Sequence, residues 1–381
     1  MNILHISPSF YPAIRWGGPV FSNYSLCNAL QAIDEVNLKV LTTNAATPES
    51  NNKLTDKDIE QLNAPYEITY CHRFAGQCIS FELLYRLKNK IQWSDLIHLT
   101  GVYSFPTLPV LFLTHILEKP VVWSPHGALM RWKGTTKPTM KRYWESLCKT
   151  IADIKNCCIH VTSVLEETAS KIIFPEFKYK FIAHGVEIPE TNSIRNPLQS
   201  GFLRIIYIGR IHPIKGIENL LAGLALLHDI KYELVICGSG DSNFLDYLKS
   251  VSIKNGIYNN VKFAGHIDGD QKKNALLNSD FCIVPSYSEN FGMVVAEALA
   301  SGLPVICSKG APWSDLEKYD CGIWTDNDPQ SLANAIRRII TMDIPAMGQR
   351  GRKWMMSDFN WTTIAKRMFM LYREMITKKN I

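Results

Sequence analysis

The run Leu203-Arg204-Ile205-Ile206-Tyr207-Ile208-Gly209-Arg210 divides the 381-residue sequence into two halves of similar character. Its apolar composition predicts a buried strand, and the glycine that follows predicts a sharp turn at the carboxyl end of that strand. The preceding polar segment, 189–197, contains Pro189, Pro197 and several Asn and Ser residues and has the composition of a linker. A second series of strands therefore begins at residue 203.

Short apolar runs alternate with longer amphipathic segments on both sides of this point, a pattern typical of parallel sheets flanked by helices. Before the linker the predicted strands are 2–6, 37–42, 68–73, 95–99, 121–124, 158–162 and 180–183. The predicted helices between them are 18–32, 81–91, 106–117, 137–151 and 164–172. After the linker the predicted strands are 203–208, 232–237, 261–264, 281–284, 304–307 and 322–325.

The pattern predicts an α/β fold with two successive doubly wound, Rossmann-like domains, 1–190 and 200–360. A last segment, 361–381, has helical apolar spacing and is expected to pack back on the first domain. Ligands of doubly wound sheets bind at the carboxyl ends of the strands, so the site is expected in a central cleft between the domains.

Composition excludes several classes of protein. The formal net charge of +6 is too small to indicate nucleic-acid binding. Ten cysteines occur without a Cys-x-x-Cys motif, several inside apolar runs, which favours buried reduced thiols and a cytoplasmic location. Neither a signal peptide nor an apolar run long enough to span a membrane is expected.

Two cations follow the strand that opens the second half. Gly209-Arg210 and Lys215-Gly216 lie on a loop that enters a helix, and two cations placed in this way suit a diphosphate whose charge needs neutralising. A solvated basic loop is the alternative interpretation of this motif.

A second motif follows the strand at 281–284. Glu289-Asn290-Phe291-Gly292 precedes a predicted helix that begins near Phe291 and ends before Gly302, and Glu297 lies within its apolar, Ala-rich sequence. Free amide groups at the start of a helix can bind an anion or sugar hydroxyls. A buried carboxylate at Glu297 requires a partner, and the alternative interpretation is a structural ion pair.

Taken as a set, these motifs and the run Ala-x-Gly-x-Pro-Val-Ile resemble the retaining glycosyltransferases of family 4, which have the GT-B fold. The resemblance covers most of the chain and is strongest over 203–325. It implies that Arg210 and Lys215, beside Gly209, bind the donor diphosphate and stabilise the departing nucleotide. It further implies the following donor contacts: the sugar hydroxyls by Glu289, with backbone amides around Asn290, Phe291 and Gly292; the ribose by Glu297; the base by Ile267.

Two elements of the first half complete the resemblance. Ser124-Pro125-His126-Gly127 follows a predicted strand and looks like the family element whose histidine, here His126, approaches the sugar near the reaction centre. Gly17-Gly18 precedes the first predicted helix and resembles the family's N-terminal glycine-rich loop, where adjacent glycines permit close approach of a phosphate or acceptor. A loop histidine and an ordinary turn are the alternatives.

Three Asp-x-Asp triplets raise the question of a metal: Asp56-Lys57-Asp58, Asp268-Gly269-Asp270 and Asp326-Asn327-Asp328. They lie in polar, turn-like stretches, and no histidine-rich metal spacing accompanies them. Enzymes of the resembled family use cationic residues instead of a metal, so neither a metal nor another cofactor is expected.

The segment Arg131–Lys149 contains six basic residues and the interleaved Trp132, Tyr143 and Trp144. It is a candidate contact with the cytoplasmic membrane face or with the acceptor, and a solvated basic helix is the alternative.

The sequence as a whole favours a metal-independent hexosyltransferase that acts on a nucleotide diphosphate sugar, with UDP-glucose as the first choice of donor. The resemblance implies a glycan or lipid-linked acceptor, and a role in exopolysaccharide or surface-glycan synthesis. A nucleotide-sugar epimerase of the same fold remains an alternative. A dinucleotide oxidoreductase is a weaker one, because Gly238-Ser239-Gly240 lacks the third glycine of that fingerprint.

Overall fold

The computed structural model describes residues 1–48, 51–131, 137–190 and 201–379. The chain divides into two compact units, the first formed by Met1–Gly185 with Trp361–Ile381 and the second by Val186–Asn360. Most of the predicted linker, 191–197, lies outside the described residues, as do Trp132 and Lys133.

Within the described part of the first unit, a seven-stranded parallel sheet has the order β3-β2-β1-β4-β5-β6-β7. Its strands are β1 (Asn2–Ile6), β2 (Asn37–Thr43), β3 (Glu67–Cys71), β4 (Leu96–Thr100), β5 (Val121–Ser124), β6 (Cys157–Val161) and β7 (Lys178–Phe181). Its helices are α1 (Gly18–Gln31), α2 (Asp56–Glu60), α3 (Phe81–Trp93), α4 (Thr107–Ile116), α5 (Pro138–Ile151) and α6 (Val164–Ile173).

The second unit repeats this plan with a six-stranded parallel sheet, counted over its described residues, in the order β10-β9-β8-β11-β12-β13. Its strands are β8 (Leu203–Ile208), β9 (Tyr232–Cys237), β10 (Val261–Gly265), β11 (Phe281–Val284), β12 (Val305–Ser308) and β13 (Gly322–Thr325). Its helices are α7 (Ile217–Leu224), α8 (Ser242–Lys254), α9 (Gly269–Leu277), α10 (Met293–Ala300), α11 (Pro329–Ile339) and α12 (Ile344–Trp354).

Each sheet has one point at which the strand order reverses. In the first sheet β1 leads to β2 on one side and β4 leads to β5 on the other, so the reversal lies between β1 and β4. In the second sheet the reversal lies between β8 and β11. The predicted fold class of two doubly wound parallel sheets is confirmed, and these two reversal points are where such folds bind ligands.

Each unit has its own apolar core. In the first, side chains from β1, β4, β5 and β6 pack with residues of α3 and α4, around the buried Trp123 and Phe174. In the second, β8, β9 and β11 pack with α7 and α11. All ten cysteines belong to the described residues and are buried without a disulfide, which agrees with their sequence interpretation as reduced thiols.

The boundaries differ from the sequence predictions at identifiable places. Strand β7 lies at Lys178–Phe181 instead of 180–183, because an edge strand carries exposed charges and lacks the apolar run by which strands were recognised. Helix α2, with a capping box between Thr55 and Asp58, was not predicted, since Asp56–Asp58 reads as a turn. Among the described residues, none of the helices combines the length and apolar character that crossing a bilayer requires.

The last helix, α13 (Trp361–Lys379), packs on α1 and β4 of the first unit. A buried chain of hydrogen bonds joins it to the sheet: Tyr372 Oη to His98 Nδ1 (2.6 Å), His98 Nε2 to Ser124 Oγ (2.7 Å), Ser124 Oγ to His160 Nδ1 (2.7 Å), and His160 Nε2 to the Ile182 carbonyl (2.8 Å).

The direction of each hydrogen bond in this series follows from the Ile182 carbonyl at its end. The Ile182 carbonyl can only accept, so His160 donates from Nε2 and the neutral ring accepts at Nδ1. Ser124 therefore donates to His160 and accepts from His98 Nε2, which leaves His98 Nδ1 to accept the Tyr372 hydroxyl. Every ring nitrogen of His98 and His160 in this series of hydrogen bonds is thus paired while both imidazoles are neutral.

We expect Tyr372→Phe to lower the free energy of unfolding of the first unit by about 1–3 kcal/mol, because it leaves the buried acceptor His98 Nδ1 without a donor. Urea denaturation followed by circular dichroism measures the change. Tyr85→Phe on α3 is the matched control, since its ring is 85% exposed. Equal stability of the two variants would contradict a contribution from the chain.

Candidate active site

The reversal point of the second sheet brings together the two sequence motifs of that half. The loop after β8 carries Lys215 and the loop after β11 carries Glu289, and these residues form an ion pair with a distance of 2.5 Å from Nζ to Oε1. Their side chains are only 15% and 13% exposed. Partial burial strengthens the attraction of each group for a charged or hydroxylated ligand.

Glu289 is held from two further directions. The Ser286 hydroxyl donates to the same carboxylate oxygen, Oε1, over 2.7 Å, and the Glu289 amide donates to the Gly310 carbonyl over 2.8 Å. Both side-chain contacts use Oε1, so Oε2 has no partner among the described residues. A fixed carboxylate with one uncommitted oxygen is suited to accept hydrogen bonds from sugar hydroxyls.

Arg210 lies at the start of the same loop as Lys215. Its side chain is exposed and forms neither an ion pair nor a hydrogen bond with any described residue, whereas its carbonyl accepts the Tyr207 hydroxyl over 2.9 Å. Burial raises the pKa of Tyr207 well above its usual value, so this hydroxyl stays protonated and fixes the loop backbone. The guanidinium is therefore available to an anion.

Glycine is required where the cationic loop enters α7. Gly216 has a φ of +61°, and a β-carbon there would lie 2.2 Å from the Pro285 carbonyl oxygen. This close approach brings the loop after β8 against the loop after β11. The sequence predicted that Gly216 lies on a loop entering a helix, but the contact with Pro285 depends on the order of the strands.

The loop after β11 ends at the N-terminus of α10, which begins at Met293 instead of near Phe291. Gly292 precedes it with a φ of +78°; the Val295 amide donates to the Gly292 carbonyl, and the first two amides, of Met293 and Val294, have no intrahelical acceptor. The Phe291 side chain is buried against Trp313, so only the backbone of this residue and of Gly292 is presented at the helix start. The neighbouring Asn290 is half-buried.

Glu297 in α10 has a partner that the sequence motifs did not reveal. Lys272 of α9 pairs with it over 2.5 Å, and the two side chains are about equally exposed, 27% and 29%. This is the ion pair considered as the alternative interpretation, and the ribose contact remains a prediction. Lys272 was missed because nothing in the sequence shows which residue of α9 lies near α10. Ile267, the predicted neighbour of the base, is half-buried in the loop between β10 and α9.

In the first unit the glycine-rich loop follows β1 at the reversal point. Gly17 has a φ of +81° and caps α1, which starts at Gly18. A β-carbon at either glycine would meet no other atom within 4 Å. The requirement for glycine at residue 17 is therefore its backbone conformation, and the space beside both residues is open.

His126 follows β5 with a φ of +52°, and its half-buried ring is held by two contacts. Its Nε2 lies 3.1 Å from Asn23 Oδ1 of α1, and its ring stacks on His184 with a centroid distance of 5.2 Å. Burial first, and then the nearby His184, His160 and His5, hold the pKa of His126 well below its usual value. The ring is therefore neutral at physiological pH.

Glu166 fixes the loop that carries His126. This carboxylate is fully buried at the start of α6 and accepts hydrogen bonds from the Gly127 amide and from the amide and hydroxyl of Thr162. Sequence reasoning missed both Glu166 and Asn23, because each acts on a loop far from it in the chain. A glutamate three residues after Ser163, the helix N-cap, gave no indication of this role.

The three Asp-x-Asp triplets all lie at the starts of helices. Asp58 belongs to the capping box of α2, Asp268 is the residue before α9, and Asp328 caps α11 by accepting the Ser331 amide. Carboxylates are favoured at these positions by the free amides and the helix dipole. Across the described ranges no group of three or more potential metal ligands occurs. Metal independence remains a prediction.

Three cations of the basic segment Arg131–Lys149 make contacts within the first unit. Arg131 pairs with Glu145 over 2.5 Å, Lys149 pairs with Glu176 over 3.0 Å, and the Lys141 ammonium lies 4.8 Å from the centre of the Tyr103 ring. The other two described cations, Lys137 and Arg142, are exposed. The outer face of α5 is apolar, with Met140 58%, Tyr143 75% and Leu147 46% exposed.

Comparison with known proteins finds a family resemblance over most of the second unit. Residues 190–354 match the family described as glycosyl transferases group 1. This region is therefore similar to the group 1 glycosyltransferases. It contains both loops of the reversal point, with the Lys215–Glu289 pair and Arg210, and the match supports the coarser part of the predicted enzyme class, a glycosyltransferase.

Relatives and solved structures extend the comparison to the rest of the chain. An uncharacterized glycosyltransferase of Methanocaldococcus jannaschii is 28% identical over 68% of this chain and 71% of its own length. A GDP-mannose:cellobiosyl-diphosphopolyprenol alpha-mannosyltransferase of Xanthomonas oryzae is 24% identical over 82% of this chain and 80% of its own. The Anabaena protein HepE, solved in complex with UDP-glucose, is 19% identical with a TM-score of 0.71 over 98% of this chain and all of its own. The last likeness covers nearly the whole chain and supports the predicted GT-B fold.

Proposed function

We propose that the chain is a retaining hexosyltransferase of family 4 that takes a hexose, glucose first, from a UDP-sugar without a metal ion. The observation that carries this proposal is the Lys215–Glu289 pair at the reversal point of the second sheet, beside the exposed Arg210. The two cations suit the diphosphate of a sugar nucleotide, and the fixed carboxylate suits the hydroxyls of its sugar. The UDP-glucose complex of HepE supports this choice of donor, and the mannosyltransferase relative makes GDP-mannose the first competitor.

The proposed reaction replaces one bond to the anomeric carbon by another. The bond between that carbon and the diphosphate oxygen breaks, and the oxygen keeps the electron pair. The acceptor hydroxyl oxygen forms the new bond on the same face, and its proton passes to the departing phosphate. Arg210 and Lys215 stabilise the negative charge that develops on the diphosphate, which is often the largest contribution to catalysis. Glu289 binds the sugar hydroxyls and so fixes the orientation of the ring.

We assign the acceptor to the first unit, where a cavity of about 430 Å³ lies beside the glycine-rich loop. Its lining includes Arg15 from that loop and Thr47, Asn52 and Lys53 from the segment between β2 and α2. Hydroxyl, amide and cationic groups of this kind suit a glycan or the phosphate of a lipid-linked saccharide. The polyprenol-linked acceptor named for the mannosyltransferase relative supports a lipid-linked substrate and a role in surface-glycan or exopolysaccharide synthesis.

A lipid-linked acceptor gives the exposed face of α5 a function as a peripheral membrane contact. We expect the protein to co-sediment with vesicles of phosphatidylglycerol and phosphatidylcholine, and Tyr143→Ser with Leu147→Ser to reduce the bound fraction several-fold, because both apolar side chains are exposed beside Lys137 and Arg142. Tyr258→Ser, at a ring 48% exposed in the second unit, is the control. Equal binding of all three proteins would exclude this contact.

The donor is identified by incubating the purified protein with a panel of nucleotide sugars in EDTA and measuring the nucleoside diphosphate released, with and without a lipid-linked acceptor. We expect turnover of one donor, greatest for UDP-glucose, and its loss in Glu289→Ala and Arg210→Ala. His126→Ala is expected to lose turnover as well. Release that requires added Mg²⁺ would contradict metal independence, and binding of no nucleotide sugar at all would contradict the proposed function.

A further inference from the structure

Asn23 connects the first strand of the chain with the loop of His126. It lies on α1, is 3% exposed, and uses both ends of its amide: Nδ2 lies 3.4 Å from Thr100 Oγ1, and Oδ1 lies 3.1 Å from His126 Nε2. Thr100 in turn lies 3.3 Å from the carbonyl of Ile6. Four residues that are distant in sequence thus form one buried chain of hydrogen bonds.

The end of this chain determines the direction of every bond in it. The Ile6 carbonyl can only accept, so the Thr100 hydroxyl donates to it and accepts from its other neighbour. The group of Asn23 that faces Thr100 is therefore the NH₂, and the group that faces His126 is the carbonyl oxygen. His126 must donate to that oxygen from Nε2. The neutral ring then carries no proton on Nδ1, an atom that is buried and has no hydrogen-bond partner among the described residues.

We infer that Asn23 is a positioning residue that orients the His126 ring and holds it as the neutral tautomer with its proton on Nε2. Nδ1 is left as a hydrogen-bond acceptor whose missing partner is a donor group, and a sugar hydroxyl has that chemistry. The use of Nδ1 by the substrate rests on the proposed function, whereas the tautomer is a property of the free protein.

The surroundings of His126 allow this tautomer to be tested by adding a charge. The titratable groups that face it are His184 from the segment after β7, His160 of β6, His5 of β1 and His98 of β4. The Glu166 carboxylate of α6 binds the neighbouring Gly127 amide. None of these groups accepts a hydrogen bond from either ring nitrogen. A carboxylate at position 23, nearly the same shape as the amide, would contact Nε2 directly and favour the charged ring.

The experiment is ¹⁵N NMR of the histidine side chains between pH 5 and 8 in the wild type and in Asn23→Asp, with His126→Gln used to assign the signals. In the wild type we expect a protonated Nε2, an unprotonated Nδ1, and no titration in this range. In Asn23→Asp we expect the His126 ring to gain a titration midpoint inside this range, where the wild type has none. Donor turnover by this variant should fall at least tenfold on the acid side of the new midpoint and recover above it.

Thr100→Val provides a second test if Asn23→Asp does not fold. It removes the acceptor that fixes the Asn23 amide, so we expect a mixture of both His126 tautomers and no new titration. A proton on Nδ1 in the wild type, or an unchanged titration in Asn23→Asp, would overturn the inference. Because the NMR measurement needs no substrate, the expected tautomer in a protein that turns over no nucleotide sugar would leave the role of Asn23 intact and reject the proposed function.

Discussion

Replacing Lys215 with alanine lowers the rate of hexose transfer by about 100- to 1000-fold, the loss typical of removing one preorganised electrostatic group from a reaction centre. Two effects combine in this variant. The departing diphosphate loses one of its two cations, and Glu289 loses the partner that holds Oε1 at 2.5 Å. The binding of the intact sugar nucleotide should weaken less than the rate falls, because the extra negative charge develops on the diphosphate only as the bond breaks.

The matched control is Lys249→Ala on α8. Lys249 pairs with Asp246 over 3.0 Å, an ion pair of the same kind in the same unit, but its partner is 72% exposed and the pair is remote from the reversal point. This variant should keep the full transfer rate, since exposed pairs contribute little to stability. If Lys215→Ala and Lys249→Ala are equally active, the assignment of the site to this loop is wrong.

We expect the first unit to become less stable as the pH falls below about 6.5. Five histidines there have lowered pKa values, with burial as the first cause in each case: the buried His5, His98, His160 and His184, and the half-buried His126. The value is about 3 for His5 and His184 and about 4 for His160. Histidine in the unfolded chain has a pKa near 6.5. Below that pH the unfolded chain therefore binds protons that the folded unit does not bind.

The sign and size of the effect follow from this difference. The contribution of these five histidines to the free energy of unfolding is complete above pH 6.5. It falls as the pH drops toward their pKa values in the folded protein. Each proton contributes about 1.4 kcal/mol per pH unit, so five histidines give a limiting slope of about 7 kcal/mol per pH unit.

Hydrogen exchange of the amides of β4, measured by mass spectrometry at several pH values, reports the stability of the first unit alone. His5→Phe should reduce the slope by about 1.4 kcal/mol per pH unit, since it removes one buried group whose two ring nitrogens have no partner among the described residues. His115→Gln is the control, because this ring is exposed. A slope that does not change in His5→Phe would show that this ring does not titrate on unfolding.

Much of the fold could be predicted because its signals are local. Each apolar run ends at a glycine or polar turn, and strands such as β5 and β11 are buried on both faces, so their composition alone identifies them. The edge strand β7 and the short helix α2 were misplaced or missed for the opposite reason. Their residues are polar, and only hydrogen bonding to neighbours or a capping box defines them.

The candidate site was predictable only as a set of loops. Lys215 and Glu289 could be placed at strand ends from the sequence, but their direct pairing depends on β8 and β11 being neighbours in the sheet. Asn23, Glu166 and Lys272 were missed because each contributes through a partner between 25 and 103 residues away in sequence. Such partners depend on the packing of helices, which a residue pattern does not specify.

The most direct test of the central claim is to follow the sugar itself. The protein is incubated with UDP-[¹³C]glucose and a lipid-linked saccharide acceptor in EDTA, and the products are examined by NMR and mass spectrometry. We predict one UDP released for each labelled hexose found on the acceptor, with the anomeric configuration of the donor. Labelled sugar that stays on the nucleotide but changes its stereochemistry would identify an epimerase and contradict the account.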